Sequence, residues 1–128
     1  MINYGFTKEL DLSFEKAVSL VTEELKKEGF GILTTINVKE KFKEKLGIEF
    51  KKYIILGACN PSNAHKAILA EENVGLMLPC NVIVYEKEDK TVVSIVKPTA
   101  AMEMIDNEEL KNIAATVETK LKKVFDSI

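Results

Sequence analysis

The chain contains no arginine; all eighteen of its basic residues are lysine. Bidentate guanidinium recognition of phosphate, carboxylate or guanine is therefore absent, and no basic stripe with interleaved aromatics replaces it, which argues against nucleic acid as a partner. The net charge of −2 supplies no long-range steering. No apolar run approaches the ~20 residues of a membrane span, and the opening residues lack the basic and apolar regions of a signal peptide. The expected location is the cytoplasm, with no membrane partner. Only two cysteines occur, Cys59 and Cys80; in a cytosolic setting they are read as free thiols. Also missing are a Walker loop, a dinucleotide glycine fingerprint, a Gly-x-Ser-x-Gly elbow and paired zinc-protease histidines, so no cofactor is implied.

What is present describes one α+β domain over residues 1–128. With 46% hydrophobic and 30% charged residues the chain has enough apolar material for a core, which excludes the disordered classes. Residues 2–8 alternate as a half-buried strand, with Ile2, Tyr4 and Phe6 on one face. Ser13 caps a helix whose apolar stripe is Phe14, Ala17, Val18, Val21 and Leu25, and Gly29 ends it. A β-branched strand covers 30–38, with Ile32, Thr34, Ile36 and Val38 on one side. A charged surface helix covers 39–46 and closes at Gly47. After a strand at 50–58, Asn60 and Pro61 open a helix of about three turns. Residues 74–80 read as an apolar extended piece interrupted by Pro79. Strands at 81–86 and 91–96 flank a polar turn and form an antiparallel hairpin. Residues 99–105 read as a helical turn, and Asp106 with Glu109 reads as a capping box for a final helix carrying Leu110, Ile113, Ala114, Val117, Leu121 and Val124. This order predicts a largely antiparallel sheet with helices packed on one face. The bare opposite face predicts a homodimer.

The chemically unusual residues gather where the 50–58 strand meets the next helix. Cys59 lies just before the positive end of a helix dipole, a setting that favours thiolate, and is expected to be the more reactive thiol. His65 stands slightly aside from the apolar face of that helix, and its imidazole can lean back toward the Cys59 turn. Cys80 and Asn81 echo the Cys59 and Asn60 pair at another strand end. Each feature has a plain structural reading: buried free cysteine behaves as a small hydrophobe, a lone histidine is usually a half-exposed hydrogen-bonding residue, and asparagines satisfy backbone groups where strands turn. Thiolate and imidazole would suit zinc or copper, but no Cys-x-x-Cys or His-x-x-His spacing occurs, so no metal is expected.

The run Gly57, Ala58, Cys59, Asn60, Pro61 with Ala64 and His65, followed by Gly75, Leu76, Met77, Leu78, Pro79, Cys80, Asn81 and Val82, resembles the domain-of-unknown-function 302 family. The resemblance implies a TATA-binding-protein-like β-α-β4-α arrangement and a tendency to form homodimers, and it carries neither an activity nor DNA binding. Lys97 departs from it, standing before Pro98 where the pattern has an acid. Two functional classes follow. The favoured one is a small-ligand-binding or interaction module centred on Cys59, Asn60, Cys80 and Asn81, with His65 nearby. The alternative is a thiol-dependent enzyme or a redox or metal-binding protein, with Cys59 as thiolate, His65 as its proton partner and Cys80 as resolving thiol.

Overall fold

Alternating and β-branched runs form five strands in the computed structural model, which describes residues 2–128: β1 (Gly5–Leu10), β2 (Gly31–Asn37), β3 (Tyr53–Cys59), β4 (Cys80–Lys87) and β5 (Lys90–Val96). They make one antiparallel sheet in the order β1-β5-β4-β3-β2. The helices are α1 (Phe14–Lys27), α2 (Val38–Leu46), α3 (Pro61–Ala70), the four-residue α4 (Pro98–Ala101) and α5 (Glu108–Asp126), with a 3₁₀ turn over Glu72–Met77. The expected α+β class is the observed one.

Two apolar clusters form on the helix-covered face. In the larger, Leu56, Val82, Val84, Val93 and Ile95 of the sheet meet the apolar stripes of α1 and α5. In the smaller, Ala67 of α3 meets Val74, Met102, Leu110 and Ala114. Ile113 packs against both. On the other face the register sets Ile36, Ile55 and Ile83 side by side across three strands, and Tyr53 stacks on Tyr85 with ring centroids 5.2 Å apart. Helix α2 leans on this second face through Phe42, which meets Phe50 at 5.1 Å, with Phe50 in turn beside Tyr53.

The caps explain how the elements are aimed. Ser13 Oγ accepts the amide of Lys16 at 3.2 Å. At the far end of α1 the Gly29 amide donates to Lys26 O and the Phe30 amide to Leu25 O, while Gly29 takes φ 84°. This is the Schellman arrangement, which needs a left-handed residue at Gly29. Lys8, on the helix side of β1, donates to the carbonyls of Phe125 and Ile128 at 2.7 and 3.0 Å. It thereby ties the end of α5 and the chain just beyond it to the first strand.

Four expectations are corrected. The first strand occupies Gly5–Leu10 rather than 2–8, because its ladder to β5 runs from Gly5 opposite Val96 to Leu10 opposite Thr91. Strand β2 does not keep Ile32, Thr34 and Ile36 on one side, and Val38 lies in α2 instead. A register shift between Ile32 and Thr34 makes Leu33 an extra residue, so Ile32 pairs with Ala58 whereas Thr34 and Ile36 pair with Gly57 and Ile55 on the opposite face. The apolar run at 74–80 is mostly 3₁₀ rather than extended, with Val74 fully buried in the smaller cluster. The last helix is capped by Asn107, not Asp106: Asn107 Oδ1 accepts from the Leu110 amide at 3.0 Å and its Nδ2 donates to Ala70 O at 2.9 Å.

Gly57 makes the bulge possible. A Cβ there would stand 2.2 Å from Thr34 Oγ1 and 2.8 Å from Pro79 Cγ, and the Pro79 ring cannot swing aside. Gly57→Ala should lower stability by about 1–3 kcal/mol, the usual cost of overpacking, read as a lower urea midpoint. Adding Thr34→Ala should restore part of that loss, and an unchanged midpoint for the single variant would contradict the packing described.

Candidate functional site

A cavity of about 290 Å³ opens at the seam between the two apolar clusters. Its floor is the end of β3 and the start of β4, where Ala58, Cys59 and Cys80 lie. Its walls are α3, α5 and the segment around Pro98 and Met102. The room comes from small side chains, since Ala58, Ala64, Ala67 and Ala114 all line it. Among the described residues no charged side chain does.

Strand pairing brings the cysteines together. Cys80 is opposite Ala58 across the β3–β4 pair and Cys59 is the next residue along β3; both line the cavity, and both are half-buried free thiols. Burial pushes the Cys80 thiol up to about 11, with a further rise from neighbouring Cys59. Burial also raises Cys59. The expected thiolate-favouring setting at Cys59 thus meets an opposing one: the helix start is present, and burial raises the thiol. Among the described residues no hydrogen bond engages either sulfur.

Asn60 lines the cavity with its polar atoms committed to the fold. Its Oδ1 accepts the Asn63 amide at 3.3 Å and its Nδ2 donates to Glu28 O at 3.4 Å. His65 is placed elsewhere. It is exposed on α3 and absent from the cavity lining, so the structure does not bring it to Cys59. Asn81 is also exposed, on the opposite face of the sheet beside Gly57. The turns centred on Cys59 and Cys80 therefore converge, while His65 and Asn81 stand outside. Lys97 is likewise outside the lining, with its ammonium 5.0 Å from the Phe6 ring centroid.

Reading the sequence misses Asn63. It lines the cavity one helical turn beyond Asn60, and among the described residues no hydrogen bond engages its carboxamide. The signal was its spacing: Asn60, Asn63, Ala64, Ala67 and Ile68 recur on one helical face. No group of three or more His, Cys, Asp or Glu side chains converges among the described residues.

The family described as a domain of unknown function, DUF302, matches residues 6–128. The chain belongs to the DUF302 family. It is similar to the crystal structure of an uncharacterized conserved DUF302 protein from Bacillus stearothermophilus, with 33% sequence identity, a TM-score of 0.91 and 98% of each chain covered. No curated protein matches the chain. Membership in DUF302 agrees with the fold and assigns no reaction to the cavity.

The thiols supply a pH test. The folded chain holds the Cys80 proton above the ordinary value near 9, so this contribution to stability is whole below pH 9 and lost as pH rises toward 11. Urea midpoints should decline over that window, and Cys80→Ala should flatten the decline. On the folded protein, with each cysteine measured while the other is serine, alkylation of Cys80 should lag that of Cys59 at pH 8. Equal rates would contradict the deeper burial of Cys80.

Proposed function

We propose that the chain is a small-molecule-binding module whose cavity accepts a compact, uncharged and largely apolar ligand. The observation that carries this reading is the lining: apolar side chains, two thiols and two carboxamides, with no charged group. A charged ligand would lose its hydration there with nothing to pair it. At about 290 Å³ the cavity is at the small end of ligand sites. The carboxamide of Asn63 offers the ligand two N–H donors and a carbonyl acceptor. The thiol-enzyme alternative has less support, because His65 is outside the lining and burial raises both thiols. The order of one strand, a long helix, four strands and a closing long helix supports a TATA-binding-protein-like arrangement, with α2 and α3 added between strands.

The neutral fluorescent probe N-phenyl-1-naphthylamine tests the cavity. Saturable binding at one probe per chain is expected, weakened at least about 10-fold by Ala64→Phe, which fills the space, and retained in Ala64→Ser. Equal binding by the filled variant would overturn the reading.

A row of isoleucines on the far face of the sheet supports a homodimer. Ile36 is 44% exposed there and continues into Ile55 and Ile83. Such a row is a poor surface to leave in water and a suitable one for a second copy. Light scattering at micromolar concentration should give twice the 14.3 kDa chain mass, and Ile83→Lys should return it to the chain mass. A monomeric wild-type mass would refute the pairing.

A further inference from the structure

We propose that the cavity selects neutral amides, ligands that carry an N–H and a C=O side by side as a primary amide or a lactam does, and that Asn63 is the residue that recognises them. The proposal rests on the neutral-ligand reading above and narrows it to one chemical class.

Three observations converge. First, the carboxamides of the cavity lie at one end of it. Asn60 is the cap of α3 and Asn63 stands in the first turn of that helix, while among the described residues every other lining side chain is apolar or a thiol. A helical side chain leans toward the turn before it, which directs Asn63 back toward Asn60. A ligand thus meets a polar end and an apolar remainder, the latter built from residues such as Pro98, Met102, Ile113 and Val117. Second, the two carboxamides are not equivalent. Asn60 uses its oxygen on the Asn63 amide at 3.3 Å and its nitrogen on Glu28 O at 3.4 Å. Among the described residues no hydrogen bond engages the Asn63 carboxamide, although its backbone amide is held.

Third, a carboxamide displays a donor and an acceptor on one planar edge. That edge pairs with a second amide through two hydrogen bonds, N–H to C=O in each direction. A carboxylate offers acceptors only and an ammonium donors only. Each would also bring a charge into a lining in which, among the described residues, no charged side chain answers it.

The test is competition against N-phenyl-1-naphthylamine on the full chain at pH 7, with hexanamide, methyl hexanoate, hexanoate and hexylammonium as competitors of one chain length. Hexanamide should displace the probe at a lower concentration than methyl hexanoate, which accepts but cannot donate. It should also act at least about 10-fold below either ion, because two neutral hydrogen bonds form and no charge is buried. Asn63→Leu, which keeps the size of the side chain and removes its polar atoms, should leave the probe bound, weaken hexanamide about 10-fold and weaken the ester less. Asn63→Asp should turn the preference toward hexylammonium. Hexanamide that competes no better than the ester, or that is unaffected by Asn63→Leu, overturns the amide assignment, and a probe still bound in that case leaves the cavity reading standing. A wild-type chain that does not bind the probe ends the cavity reading and this proposal with it.

Discussion

The fold turns on a joint between the end of α1 and the beginning of α3. Asn60 caps α3 with its oxygen and reaches back with its nitrogen to Glu28 O, so one side chain sets the angle between two elements that share no sequence neighbourhood. The joint requires a glycine on the other side: a Cβ on Gly29 would stand 3.0 Å from Asn60 Nδ2, and the residue has φ 84°. A cap of this kind is worth about 1 kcal/mol, a small sum with a large geometric effect. Helix α3 buries only Ala67 completely. At its other end the helix is held by the Asn107 Nδ2 bond to Ala70 O.

That arrangement explains why a space exists at all. Apolar interiors normally close to the density of organic crystals. Here the larger cluster is organised by the sheet with α1 and α5, and the smaller by α3 with α5 and the residues around Met102. Each closes on itself. Alanines meet where the two abut, and among the described residues Ile113 alone spans the boundary as a member of both neighbourhoods. The gap is a product of two centres of packing in one small domain, and both thiols fall on its floor because β3 and β4 end there.

Much of this was legible in the chain. Strand and helix periodicities announced the five strands and the long helices, and Ser13, Gly29, Asn60 and Pro61 marked boundaries by local chemistry that tertiary structure left alone. The convergence of Cys59 with Cys80 could be suspected from two similar strand ends. The bulge at Leu33 was hidden, because alternation in Ile32, Thr34 and Ile36 looks perfect until Gly57 on the neighbouring strand is known to lack a side chain just where Thr34 needs room. His65 was misplaced for a related reason: leaning toward the N-terminal turn says how far a helical side chain reaches, but the rotation of α3 about its axis is set by Asn60 and Ala67. Asn107 overrode Asp106 through a bond to Ala70 O, a contact between segments far apart in sequence.

The irregularity in β2 also limits how the molecule can associate. Strand β2 is one edge of the sheet, and a regular edge exposes a row of amides and carbonyls on which a foreign strand can add, then another, without end. The two-against-one step at Leu33 breaks that row, and the chain turns into α2 directly after Asn37. Open-ended, fibre-like growth by strand addition is obstructed at this edge. The row of Ile36, Ile55 and Ile83 lies on a face instead of a rim, and contact between faces stops once two are joined.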